Sequence, residues 1–445
     1  MPGIDNYRDA ESMQAYLDPI LEKAHEFVTN ELNVGAGRVP IYLFATSGMR
    51  VGVPDAETQG IILDEAWLRM SANIFPRFNA GLARETNARV IDGKMEGLFA
   101  WVANNYGRGD HIRDIFEVGG SSAQFAFYKN SADLSTEKVC LHSNSDGYNV
   151  FSESWDGLGV NAAFRLVSRD FYRTRIGALN PCLPTFRADD MEGMKGIGDI
   201  LQCMLLSSQG LAKYTSGLPL SPSFPNMGRE FIGISVPMYT YKFFSEQPNS
   251  GFEFDEPYNA ARFKQAFMDY CNADEAALPD NRSPSIIAMT CFSAAWTWTM
   301  LHDPKGLGLS NDTLIFPAND DLELRSTWTI GVAALYARHH DVILCPDRES
   351  IVHNDNGGTL GLSTTPSVQP TYNDFATLYA SADHAGIKST LKSSITSMPP
   401  PAIRDLAAFS IVLISIMIIF FAYRHRRIST FAKIALPVEM SPSLV

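Results

Sequence analysis

The sequence predicts an α/β body followed by one membrane-spanning helix near the C-terminus. Two short apolar runs, residues 39–45 and 112–118, each end in glycine and small hydroxyl residues, the pattern of a buried strand entering a turn. Stretches with apolar residues at helical spacing alternate with these runs, which points to an α/β architecture. Residues 406–423, LAAFSIVLISIMIIFFAY, are eighteen residues without charge or proline, just enough to cross a hydrocarbon core as a helix.

In chain order, Met13, Leu17, Ile20, Leu21, Ala24, Phe27 and Val28 share one face, so residues 13–32 predict an amphipathic helix. Residues 39–45, VPIYLFA, predict a strand running into Thr46-Ser47-Gly48, with a helix after it. Residues 93–104 carry a helical pattern with Glu96 at its start, and residues 112–118 predict a second strand. That strand ends in Gly119-Gly120-Ser121-Ser122, again with a helix expected to follow. Residues 354–401 are rich in Ser, Thr, Gly and Pro and read as a flexible stalk. Arg424-His-Arg-Arg427 follows the apolar span, so the positive-inside rule places the tail ending at Val445 in the cytosol and the body outside or in a lumen.

A net charge of -13 argues against nucleic acid as a partner, because binding its backbone needs a basic surface. It leaves nucleotides open, since a divalent cation and backbone N–H groups can hold a polyphosphate. The six cysteines, Cys140, Cys182, Cys203, Cys271, Cys291 and Cys345, form no CxxC pair. An even count fits three disulfides in an oxidising compartment, with the connectivity open. Two sequons, at Asn281 and Asn311, are compatible with a secretory location.

Three segments carry candidate chemistry. In Ile115-Phe-Glu-Val-Gly-Gly-Ser-Ser-Ala-Gln124 a strand delivers Glu117 and then a glycine turn. Glycine admits close backbone approach to a ligand, and successive N–H groups make a concave anion site to which Ser121 and Ser122 add hydroxyls. A plain hairpin turn explains this segment equally well when it is taken alone. Leu43-Phe-Ala-Thr-Ser-Gly-Met-Arg50 repeats the design. In Asp92-Gly-Lys-Met-Glu-Gly-Leu-Phe-Ala-Trp, Glu96 opens a helical pattern, where it could accept a proton from an attacking water.

Taken together, ATSGMR, EGLFAWVANNY and EVGGSSAQ, in this order and spacing, resemble the conserved regions of the GDA1/CD39 family of nucleoside di- and triphosphate hydrolases, the apyrases, which read ATAGMR, EGxYxWxxxNY and DLGGASTQ. The likeness extends through Pro2-Gly-Ile-Asp-Asn-Tyr7, residues 151–162 (FSESWDGLGVNA), Asn180-Pro-Cys182, residues 231–240 (FIGISVPMYT) and Ser326-Thr-Trp328, so that it covers roughly residues 1–345. The resemblance implies a two-lobed fold related to actin and Hsp70, in which nucleotide occupies the interlobe cleft. It implies residues 1–92 and 325–350 as a partial first lobe and 93–324 as the second; from composition and charge, 351–403 are expected as stalk and 424–445 as cytosolic tail. It further implies Glu96 as general base, with Thr46, Ser47, Gly48, Gly119, Gly120, Ser121 and Ser122 along the phosphates. Glu117, acting through water, and Gln124 would serve a Ca²⁺ or Mg²⁺ ion and the attacking water. Trp328 would shape the metal-side pocket and Tyr239 would stack on the base. The body would sit in the Golgi or secretory lumen or at the cell surface.

Departures accompany the likeness. The family's first phosphate loop, DxGSS, has no counterpart before Thr46, and no apolar leader is found near Met1; both suggest a true start further upstream. Glu117 replaces the family's Asp, and Gly306-Leu-Gly-Leu309 stands where many members have GYGF. The expected activity is hydrolysis of nucleoside tri- or diphosphates. The alternative is a catalytically inactive, membrane-tethered nucleotide- or partner-binding homologue.

Overall fold

The computed structural model describes residues 4–336 apart from 8, 32–34, 54, 72–77, 80–83, 107–111, 131–135, 142–146, 172–178, 183–194, 217–219, 221–230, 248–249, 255, 257, 273–283, 311–313 and 316–326. Residues 351–403 and 424–445, expected as stalk and cytosolic tail, lie outside the described residues, as do the apolar span 406–423, both sequons and Cys345. Among the described residues no helix is long and apolar enough to cross a membrane.

The N-terminal elements build a small α/β layer. Helix α1 (Ala10–Glu26) starts where the Asp9 side chain accepts from the Ser12 N–H at 2.8 Å, satisfying one of the donors a helix start leaves open. It buries Met13, Tyr16, Leu17, Ile20, Leu21 and Ala24, the stripe the sequence predicts, and runs on as a wider π-type turn, Phe27–Glu31. Strand β1 (Leu43–Ala45) enters α2 (Ser47–Gly52) directly, and α3 (Ala56–Ser71) packs Ile62, Leu63, Ala66 and Met70 into the same core as α1. A single turn, α4 (Arg84–Asn87), precedes β2 (Ala88–Val90), which pairs in parallel with β1. The strand expected over 39–45 is thus shorter than its apolar run. Pro40 has no N–H to give a ladder, and residues 39–41 instead bond the backbone of Asn79.

Helix α5 (Gly93–Asn105) leads to a six-stranded mixed sheet, made of β3 (Asp114–Val118), β4 (Ser122–Lys129), β5 (Thr136–Val139), β6 (Tyr148–Asp156) and, later in the chain, β9 and β10. After β6 come α6 (Val160–Phe171), the short pair β7 (Leu179–Asn180) and β8 (Lys195–Gly196), and α7 (Ile200–Tyr214). Then follow β9 (Phe231–Ser235), α8 (Val236–Ser245), α9 (Ala260–Cys271), α10 (Pro284–His302), β10 (Leu314–Ile315) and α11 (Trp328–Tyr336). The strand order is β10-β9-β3-β4-β6-β5, with β9 parallel to β10 and β3 and the other pairings antiparallel. The helix expected after Gly119-Gly120-Ser121-Ser122 is therefore corrected: the turn closes a hairpin onto β4. The alternation Ser122-Ala-Gln-Phe-Ala-Phe127 explains this, because a period of two suits a strand and not a helix.

That alternation sorts the two faces of the sheet. Phe116, Val118, Ala123, Phe125, Phe127 and Phe231 pack with α6 to α10 into the largest core cluster. Ile115, Ala126, Val150, Ile232 and Ile234 face α5, together with Leu98, Phe99, Trp101 and Trp328. Helix α5 is covered on its far side by α11, and the approach is close: a Cβ on Gly331 would lie 1.8 Å from the Phe99 carbonyl oxygen. Disulfide Cys182–Cys203 ties the turn after β7 to α7 and Cys271–Cys291 ties α9 to α10, each closing a loop of about 20 residues, worth about 3 kcal/mol on chain entropy. Cys140 is also disulfide-bonded.

Candidate active site

Sheet register assembles the site. Glu117 on β3 stands opposite Gln124 on β4, and Gln124 opposite Ser154 on β6. Paired residues point to one face of a sheet, so these three polar side chains form one row across three strands on the α5 side. Gln124 Nε2 fixes the row by donating to Ser122 Oγ (2.7 Å) and Ser154 Oγ (3.1 Å). Helix α5 comes down onto this row through small residues. A Cβ on Gly97 would sit 2.4 Å from Ser152 Oγ, and one on Gly93 would sit 2.2 Å from Ser154 Oγ. Ser152 Oγ donates to the Lys94 carbonyl oxygen at 2.8 Å, joining the helix start to β6.

Glu96 lies in the first turn of α5, whose start is capped by Asp92 accepting from the Lys94 N–H. Glu96 and Glu117 are both buried. Burial disfavours their charged forms and pushes both carboxyls above the ordinary carboxylate range; the Arg50 charge works against this at Glu96, while the Glu96 charge adds to it at Glu117. Glu117 Oε1 accepts from Ser235 Oγ at 3.0 Å, and its other oxygen, Oε2, is buried without a partner.

Arg50, from α2, is the cation of the site. Its Nη1 donates to the Ile91 carbonyl oxygen (2.7 Å), its Nε and Nη2 to the two Asp156 oxygens (3.0 and 2.8 Å), and Nη2 also to Glu96 Oε2 (3.3 Å). Burial works against the ionised form of Asp156, but the Arg50 bonds and the Ser47 hydroxyl outweigh it and hold that carboxyl below its ordinary value. Beside these groups is a cavity of about 410 Å³ lined by Arg50, Val90, Ile91, Asp92, Gly93, Lys94, Ser154 and Asp156.

The Gly119–Ser122 turn is seated on the start of α6: the Val160 and Asn161 N–H groups donate to the Gly119 and Gly120 carbonyl oxygens, and Gly157 N–H to that of Ser121, at 2.7–2.9 Å. Neither Gly119 nor Gly120 has positive φ. What demands glycine is the neighbour Gly159, where a Cβ would lie 2.3 Å from the Ser121 nitrogen.

The structure thus gathers Glu96, Glu117, Ser122 and Gln124 from the sequence-predicted set, with Ser47 beside Asp156. Thr46 is the N-cap residue of α2, its carbonyl oxygen accepting from Met49 and Arg50. Gly48 lies within α2 facing the Asp5 carboxylate, where a Cβ would sit 3.2 Å from Asp5 Oδ1. Trp328 is buried against α5, and Tyr239 packs half-buried on the large core beyond β9. Leu307 and Leu309 are buried in that same core. Arg50, Ser154, Asp156 and Ser235 were not singled out from sequence. Arg50 closes the ATSGMR segment, and the alternating Ser152, Ser154 and Asp156 on a strand were the readable signal for a polar face.

Residues 1–350 match the GDA1/CD39 (nucleoside phosphatase) family. The Golgi apyrase of Schizosaccharomyces pombe is 26% identical over 78% of this chain and 68% of its own length. The nucleoside-triphosphatase ntp-1 and the nucleoside-diphosphatase mig-23 of Caenorhabditis elegans are 27% and 24% identical, each over 68% of this chain. The chain spans 59% and 63% of the lengths of those two relatives. A crystal structure of nucleoside triphosphate hydrolases from Neospora caninum shares the fold, with a TM-score of 0.51 and 14% identity over 74% of this chain and 78% of that one.

Proposed function

Because the chain belongs to the GDA1/CD39 (nucleoside phosphatase) family, we propose that it hydrolyses nucleoside tri- or diphosphates and releases inorganic phosphate. The observation that carries this reading is the pair of buried carboxylates, Glu96 from the first turn of α5 and Glu117 from the end of β3, set beside the Gly119–Ser122 turn. Glu96 is the general base. A carboxyl raised above its ordinary range can accept a proton from water near neutral pH better than an exposed one. Gln124, with Ser122 and Ser154, orients the water, and Arg50 holds Glu96 in place. The segments Thr46–Gly48 and Gly119–Ser122 lie along the phosphates, Tyr239 stacks on the base, and Trp328 supports the metal side of a two-lobed cleft.

The residues present fit a hard divalent cation such as Ca²⁺ or Mg²⁺. Their donors are oxygens, and the buried Glu117 Oε2 has no protein partner. Glu117 would hold such an ion through water, and substrate phosphates would supply further oxygen ligands. Once bound, such an ion neutralises charge on the phosphates. The two disulfides support an oxidising compartment. With the apolar span 406–423, they favour a body in the Golgi lumen, another secretory lumen or at the cell surface, anchored by that span with its tail in the cytosol.

The test is Glu96→Gln. Phosphate release from nucleoside di- and triphosphates should fall by at least 10²-fold, while nucleotide binding measured by calorimetry survives. Near-normal turnover would remove Glu96 as the base.

A further inference from the structure

Ser235 ends β9 and stands at the N-cap of α8, yet it behaves like neither a strand residue nor a cap. Its φ of 61° and ψ of -123° make it one of two non-glycine residues with positive φ among the described residues. N-cap residues ordinarily keep extended dihedrals and accept a hydrogen bond from the following turn. Ser235 makes no such bond. Its hydroxyl donates instead to Glu117 Oε1 at 3.0 Å.

The sheet register gives the reason. In the parallel β3–β9 pair Glu117 is opposite Ile234, and Ser235 is opposite Val118. Val118 faces the large core, while Ile234 faces α5. A regular strand would therefore send the Ser235 side chain to the face away from Glu117. The backbone reversal at Ser235 brings it back. A non-glycine residue held in such a region is strained, and a glycine would meet the turn more cheaply. The strain is matched by one contact, to a buried carboxylate whose second oxygen is left without a partner.

We infer that Ser235 is a positioning residue for Glu117: it occupies Oε1 and so presents Oε2 alone toward the site. This rests on the reading of Glu117 as the carboxylate that serves the divalent cation through water. The test compares Ser235→Ala, which keeps the strained turn without the hydroxyl, with Ser235→Gly, which relieves the strain and also lacks it. Both should raise the half-saturating Ca²⁺ or Mg²⁺ concentration about tenfold, in metal-binding calorimetry as in phosphate release, the scale of one lost hydrogen bond to a charged group. Metal-free Ser235→Gly should melt about 2–4 °C above Ser235→Ala, because glycine takes positive φ freely. Wild-type metal response in Ser235→Ala overturns the inference. So does recovery of that response in Ser235→Gly, which would assign the effect to backbone strain. Glu117→Gln separates the two levels: an unchanged metal response there defeats the reading of Glu117 itself, whereas a changed one beside a normal Ser235→Ala defeats only the role of Ser235.

Discussion

Replacing Arg50 by Met is expected to move the pH dependence of catalysis upward. Arg50 is the cation bonded to Glu96, at 3.3 Å, with side chains only 16% and 8% exposed. Burial raises the Glu96 pKa and the Arg50 charge opposes that rise. At an effective dielectric of about 20, unit charges 4 Å apart interact by roughly 4 kcal/mol, a gross figure that desolvation reduces. A hydrogen bond to a charged group is worth about 1.5–3 kcal/mol net. At 1.36 kcal/mol per pKa unit this is about 1–2 units. Glu96 must be ionised to accept a proton, so removing the cation shifts the acid limb of kcat/KM up by about 1–2 pH units. Near neutral pH kcat/KM should fall about 10- to 100-fold, with partial recovery toward pH 9. Stability should already fall at pH 6, where Asp156 is ionised and loses its Arg50 partner, and should worsen further as pH rises and Glu96 ionises unpaired. The assay is phosphate release across pH at saturating divalent cation, paired with thermal melts. An unmoved acid limb, or one displaced to lower pH, would refute the coupling of Arg50 to Glu96.

Two further outcomes are expected. Gly331→Ala places a methyl group 1.8 Å from the Phe99 carbonyl oxygen, so α11 must back away from α5. A cost of about 1–3 kcal/mol or more follows, visible as a melting temperature several degrees lower; wild-type melting would contradict the close packing of these helices. In metal-free protein, Glu96 and Glu117 have folded pKa values raised above their unfolded values. The native state then binds more protons than the unfolded one as pH rises from about 4.5 toward 8, so stability is fully present at the acid end and declines across that window. Glu117→Gln should flatten the decline, and a pH-independent difference between the two proteins would show that Glu117 does not titrate in this range.

The sequence determined several elements and the chemistry-bearing segments. The α1 stripe could be read because burial of one face imposes a period on a single stretch of chain, while the strand at 114–118 and the run 93–105, buried on nearly every side, showed as apolar stretches bounded by turn residues. Glu96, Glu117, Ser122 and Gln124 stood out because three segments resemble one family in order and spacing. The tertiary structure decided what those residues touch. Asp156 meets Arg50 across 106 positions, and Ser235 meets Glu117 across 118. The first depends on the register of β6, since a shift of one residue would turn Asp156 to the opposite face; the second depends on the backbone reversal at Ser235, which overrides the register of β9. The hairpin after Gly120 was settled by β4 finding partners on both sides, and the small residues of α5 acquired their meaning only beneath the serines of β6. A local pattern can fix which face of an element is apolar, but it carries no record of which distant strand lies beside it.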